Sequence, residues 1–198
     1  MDTSSNFFTS PIRLENERAR LTPLAMTDID ALEKIAFEPS IWALGMNHLQ
    51  ERADLYDYIA SALEDKKQEA AYPFLITDKR NGQVAGSTRF GNISIANKRL
   101  EIGWTWIHPQ FQGTGLNRAC KYLLLEYVFD TLLFNRVEIK TDVLNHQSRK
   151  AILKMGATQE GIFRKHQVTA GGRIRDSIYF SILNDEWPDI RARIFGLK

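Results

Sequence analysis

The stretch LEIGWTWIHPQFQGTGLN, residues 100–117, constrains this chain more than any other. It opens as an apolar strand, breaks at Pro109, turns through Gly113 and Gly115, and leads into a helical run over residues 116–133. A strand that passes through a glycine turn into a helix start leaves several backbone N–H groups unpaired, and the helix dipole adds partial positive charge there. Glycine at 113 and 115 accepts unusual dihedrals and lets a ligand approach the backbone. The turn therefore suits a phosphate or pyrophosphate.

Patterning on either side predicts one domain, α/β (α+β), with a mixed, mostly antiparallel sheet flanked by helices. Residues 1–12 read as an N-terminal arm carrying Phe7 and Phe8, residues 13–190 as the domain, and residues 191–198 as a C-terminal tail. A first strand is expected over 18–23 and a helix over 29–37, where Ile29, Leu32, Ile35 and Ala36 recur at helical spacing. A looser segment, IWALGMNH, precedes a second helix over 51–66. Strands follow over 72–77, 83–95 and 100–107, the first two joined by a turn with Asn81-Gly82 at its tip. After the long helix come a strand over 136–141, a helix over 145–155 closed by Gly156, and a hairpin of 161–169 with 173–183. A strand–helix–strand connection of this kind places a parallel pair in mid-sheet, a favoured place for ligands.

Composition excludes some functions. At 198 residues and 43% hydrophobic content the chain can bury a substantial core without metals or disulfides. A single cysteine, Cys120, rules out an internal disulfide and fits a reducing cytoplasm. Its place inside the long helix reads as packing, not as a nucleophile. The formal charge of +2 is too slight to argue for nucleic acid. No apolar run is long enough to span a membrane, and the first residues carry no signal-peptide pattern. His48, His108 and His146 have no metal-ligand spacing, so no metal is implied.

The glycine turn fits two well-known phosphate loops poorly. A dinucleotide fingerprint would need glycine where Arg118 stands, and a Walker-type loop needs a Gly-Lys-Ser/Thr that is absent. Gln110-Phe111-Gln112-Gly113-Thr114-Gly115 instead resembles the Q/R-x-x-G-x-G/A motif of the GNAT superfamily of acetyl-CoA-dependent N-acetyltransferases. The strand Glu101-Ile102-Gly103-Trp104 resembles that of its RimJ/RimL-like branch, the ribosomal-protein N-terminal acetyltransferases. Residues 141–149 (TDVLNHQSR) resemble the branch's short strand and N-x-x-S helix start, and Glu160-Gly161, residues 181–183 and Glu186-Trp187 its closing hairpin. The resemblance covers residues 13–190.

That resemblance implies a GNAT fold, acetyl-CoA as co-substrate and a primary amine as acceptor: a protein or peptide N-terminus, an amino acid or a small amine. Backbone amides of Gln112, Gly113, Thr114, Gly115, Leu116 and Asn117 would cradle the CoA pyrophosphate. Thr105, Trp106 and Ile107 would pair with the pantetheine arm like an added strand, an amide near Thr105 serving the oxyanion. Asn145 would hold the arm, and Arg149, with Arg118 behind it, would meet phosphates. Transfer would be direct, without an acyl-enzyme. Where many members of the superfamily carry an acidic tyrosine this chain has Ile152, leaving Ser148 either to meet the CoA sulfur or to cap its helix. Glu101 is the first candidate base, acting through water, and His166 its rival; Gln167 occupies the place of a proposed RimL-type glutamate. Trp42 and Trp104 are candidates for the acceptor wall, while Trp106, Phe90 and Tyr179 read as core. A homodimer is a further implication. The other reading left open is an acyl-CoA-binding module without catalysis.

Overall fold

The computed structural model describes residues 7–196. The outer parts of the expected arm and tail, residues 1–6 and 197–198, lie outside it. One sheet organises the chain, in the order β1 (Leu14–Glu15), β2 (Ala19–Pro23), β3 (Ala71–Asp78), β4 (Gln83–Ser94), β5 (Arg99–Ile107), β6 (Arg136–Asp142), β8 (Ile174–Leu183), β7 (Thr158–Val168). Among the described residues only β5 and β6 pair in parallel; the other neighbours are antiparallel. This is the expected mixed, mostly antiparallel sheet.

Helices cover both faces, because the central strands are apolar on both sides. On β3, Tyr72, Phe74 and Ile76 join the core beneath α4 (Leu116–Glu126), while Leu75 joins α1 (Ile29–Ala36) and α3 (Arg52–Lys67) on the opposite face. The period of two along the strand divides the core in this way. Helix α3 contributes Leu55, Tyr58, Ile59 and Ala62 from one face, as the spacing predicts. Phe7 is fully buried against Tyr72, Phe90 and Tyr127. At the other end of the chain Phe195 packs on Tyr122 and Trp187.

Two helical boundaries differ from expectation. The long run after the glycine turn is α-helical only to Glu126, then widens into a π-helical turn over Tyr127–Thr131. Leu132 N–H reaches back five residues to the Tyr127 carbonyl, and Leu133 leaves the helix with φ +54°. The segment expected to be loose holds a short helix, α2 (Pro39–Trp42). Glu38 caps it through Ser40, and Pro39 loses nothing at the first helical position. Helix α5 (His146–Lys154) completes the set that positions the site, and Gly156 closes it with φ +88°.

A candidate acetyl-CoA cleft where two parallel strands part

Strands β5 and β6 pair over three rungs only: Arg99 with Arg136, Leu100 with Val137, Glu101 with Glu138. Beyond Glu101 they separate, since β6 stays paired with β8 to Asp142 while β5 follows β4 to Ile107. The cause lies on β5, which bulges between its rungs at Gly103 and Trp106. Trp104 there adopts φ +49°, a left-handed conformation rare for a bulky residue. Two glycines on β4 accommodate the bulge. A Cβ at Gly91 would strike the Trp104 ring, and one at Gly86 would strike the Trp106 carbonyl.

The opening holds a cleft of about 460 Å³. Its walls include Thr105 and Trp106 from β5, Gly113 from the turn, Asn117 from α4, and Asn145 and Ser148 from α5. Past Glu101 the β6-facing edge of β5 has no strand partner, so the backbone groups of Thr105 and Ile107 lie beside the cleft.

At the mouth, Gly113 and Gly115 have φ +72° and +87°. A Cβ at either would meet nothing within 4 Å. These glycines thus serve the turn's dihedrals and the open space beside it, not packing within the chain. Gln112 N–H is spent on Pro109, and Ala119 N–H is the one that finds the Gly115 carbonyl. The amides of Gly115, Leu116, Asn117 and Arg118 therefore have no partner within α4. Leu116 offers only its backbone, because its side chain is core, and the Thr114 hydroxyl is held by the Phe111 carbonyl at 2.6 Å.

The donor set fits a pantetheine arm and a pyrophosphate. Buried Asn117 Oδ1 and Trp106 Nε1, an acceptor and a donor on the cleft wall, have no partner among the described residues. Asn145 is the N-cap of α5, its Oδ1 accepting from Ser148 N–H at 2.9 Å. This decides against Ser148 as the cap. The Ser148 hydroxyl belongs to the cleft wall, and its contribution to the helix start is the backbone amide.

Glu101 is almost fully buried; its Oε2 pairs with Lys140 Nζ at 2.9 Å and also accepts from Asn92 Nδ2 at 2.7 Å. Gly103 makes room for the carboxylate, since a Cβ there would lie 2.7 Å from Glu101 Oε1. His166, the rival base, is not brought to the cleft. Its ring packs edge-on beside the Phe163–Tyr179 pair, 5.3 and 5.8 Å from the two ring centres, and the adjacent Gln167 lines the cleft. Adjacent strand residues face opposite sides. Arg118 is also diverted: its guanidinium donates to the Ile194 carbonyl and covers the Phe195 ring. Arg149 Nη1 donates to the Val143 carbonyl at 3.1 Å beside the start of α5.

Trp42 is buried, its indole N–H bonded to the Ala36 carbonyl and its ring 5.5 Å from that of Trp106. It is a packed wall of the cleft. Trp104 is 37% exposed and borders both this cleft and a second one of about 380 Å³ beside α3. Sequence reasoning missed Lys121. Its side chain is buried, lines the cleft, and donates to Thr105 Oγ1 at 2.7 Å, and burial lowers its pKa to about 8. Positions 117, 121 and 125 share one face of the helix, but only the structure shows that this face is buried. Cys120 beside it is inert, its thiol pushed up to about 12 by burial.

Comparison with known proteins agrees with this geometry. Residues 18–158 match the family model described as an acetyltransferase (GNAT) domain. A Bacillus subtilis (strain 168) protein provisionally named ribosomal N-acetyltransferase YdaF is 34% identical over 107 residues, spanning 54% of this chain and 57% of that relative. The crystal structure of a GCN5-related N-acetyltransferase from Brucella melitensis superposes with TM-score 0.85 at 28% identity, covering 94% of this chain and 85% of that one. RimJ of Mycobacterium smegmatis, in complex with CoA-disulfide, shares the fold at TM-score 0.75 and 21% identity, over 90% and 88% of the two chains. The chain belongs to the GNAT family of acetyltransferases.

Proposed function

We propose that the protein transfers the acetyl group of acetyl-CoA directly to a primary amine held in the same complex. The acceptor is a protein or peptide N-terminus, an amino acid or a small amine, and the setting is the cytoplasm. The observation that carries this reading is the unpaired edge of β5, which runs beside the cleft toward the unspent amides of the glycine turn.

In this reading the amides from Gly113 to Asn117 receive the pyrophosphate at the positive end of α4, the Gln112 amide being taken by the Pro109 carbonyl. Thr105, Trp106 and Ile107 take the pantetheine as an added strand, and Asn117, Asn145 and Trp106 Nε1 supply side-chain partners. Arg149 lies close enough to the start of α5 to meet a phosphate. An amide near Thr105 stabilises charge on the acetyl oxygen, in a cleft whose buried walls strengthen that contact. Ser148 contacts the sulfur. Glu101, acting through a water molecule, takes the proton that the amine loses on attack. Trp42 and Trp104 border the acceptor.

The test is release of free thiol from acetyl-CoA against small amines, amino acids and N-terminal peptides. Turnover on one class supports the reading and names the acceptor. Silence across the panel with CoA bound in calorimetry would favour an acyl-CoA-binding module without catalysis, a role consistent with Gln167 and with the ion-paired state of Glu101. Silence with no CoA bound would overturn both.

A further inference from the structure

Lys121 is a cation in a costly place. Its side chain is buried on the wall of the cleft, and no carboxylate among the described residues lies within ion-pair distance. Its hydrogen-bond partner is the hydroxyl of Thr105, which also shares a proton with Thr88 Oγ1 at 2.7 Å. An ammonium buried beside neutral hydroxyls is destabilising unless something anionic meets it. Among the described residues no carboxylate pairs with it, and Glu101 acts on it only through space. Glu101, on β5, is already spent on Lys140 of β6. Arg175 of β8, which also lines the cleft, is a second cation, and Cys120 on the same helix is held neutral by burial. The remaining exposure of Lys121 is toward the cleft, on the wall that also carries Thr105, Asn117 and Ser148.

We infer that Lys121 is a catalytic residue whose ammonium meets the sulfur leaving the thioester and hands it a proton. This rests on the acetyl-CoA reading above. Attack forms the C–N bond and moves the carbonyl pair onto oxygen. Collapse restores the carbonyl and breaks the C–S bond, leaving the pair on sulfur. Lys121 Nζ then gives one proton to that sulfur and becomes a neutral amine. The proton lost by the acceptor nitrogen passes through water to Glu101 and on to solvent, and Lys121 recovers one from solvent, so the sum is thioester plus amine to amide plus thiol. A cation fixed in a buried cleft acts on charge that develops only as the bond breaks, and therefore favours the transition state over the ground state. The lowered pKa, about 8, lies close to that of an ordinary thiol, about 8.5, which is the matching that proton transfer needs. It also explains how the chain manages where Ile152 replaces the acidic tyrosine of many relatives.

The test needs no acceptor. The ultraviolet absorbance of the CoA thiolate is followed through a pH titration of CoA, free and bound to the full-length protein. Calorimetry with CoA and with desulfo-CoA, in which hydrogen replaces the thiol, establishes binding. Lys121 should make bound CoA ionise about one pH unit below free CoA, a roughly tenfold preference for thiolate over thiol. Lys121→Met should return the titration to that of free CoA and leave desulfo-CoA affinity unchanged, whereas Lys121→Arg should retain the shift. Bound CoA that titrates with or above free CoA in the wild type overturns the inference and leaves the acetyl-CoA reading standing. A folded Lys121→Met that keeps the shift does the same. Failure of the wild type to bind CoA at all overturns both. If Lys121→Met does not fold, the wild-type titration decides alone.

Discussion

Glu101 and Lys140 form a 2.9 Å ion pair at the rung beyond which β5 and β6 no longer bond. The pair lies at the apex of the cleft, and its partners come from the two strands that part there. Position therefore makes Glu101 both a latch on the apex and the carboxylate nearest the open edge. The two roles separate by experiment. Glu101→Gln keeps the shape and removes the charge, so CoA affinity should hold while turnover falls about 10²–10⁴-fold, the range for losing a general base. Unchanged turnover at saturating substrates would restrict Glu101 to the latch. Lys140→Met leaves a buried carboxylate with only Asn92, and should cost about 3–5 kcal/mol in denaturant unfolding.

Gly113→Glu tests the turn. Open space surrounds the missing Cβ, so the fold should lose only the left-handed penalty, about 1–2 kcal/mol. CoA binding, read by calorimetry, should disappear, because the carboxylate would occupy the pyrophosphate's place. A variant that melts near wild type and still binds CoA would remove the turn from the site.

The start of α5 gives a paired prediction. Asn145→Ala removes the cap and should destabilise by about 1 kcal/mol, whereas Ser148→Ala should not, since its amide makes the capping bond. Thermal unfolding of both variants checks this, and a Ser148→Ala melting loss equal to that of Asn145→Ala would contradict it.

Lys121 should also leave a mark on stability. Its pKa in the folded protein, about 8, lies below the ordinary lysine value, so between the two the unfolded chain binds more protons. Stability attributable to this group therefore rises with pH across that window, and the full penalty applies below about 8. Lys121→Met should raise the melting temperature near pH 7. The gain is capped on the order of 3 kcal/mol by the size of the shift, is reduced by the loss of the hydrogen bond to Thr105 Oγ1, and vanishes toward about pH 10. A gain independent of pH would show that the lysine keeps its ordinary pKa in the fold.

Cys120 should resist iodoacetamide in the native protein at pH 8 and react after denaturation, since the buried thiol titrates near 12. Mass spectrometry of the two samples settles this.

The chain's own order determined a good deal by itself. Apolar periodicity placed the central strands and the helices over 29–36, 52–67 and 146–154 within a residue or two, because each buries one face or two against a sheet and must repeat accordingly. The glycine turn was legible because two residues need positive φ and nothing crowds them, a demand that a local sequence can state. Tertiary structure decided the rest. The parting of β5 from β6 depends on a bulge at Trp104 that Gly86 and Gly91 of another strand permit. His166 and Gln167 are equals in the sequence, and only the pairing of β7 with β8 sends the second to the cleft and the first against the rings of Phe163 and Tyr179. Lys121 reads as one more lysine in a helix until β5 is laid across it. Long-range packing then turns a solvated charge into a buried one, and no local pattern carries that cost.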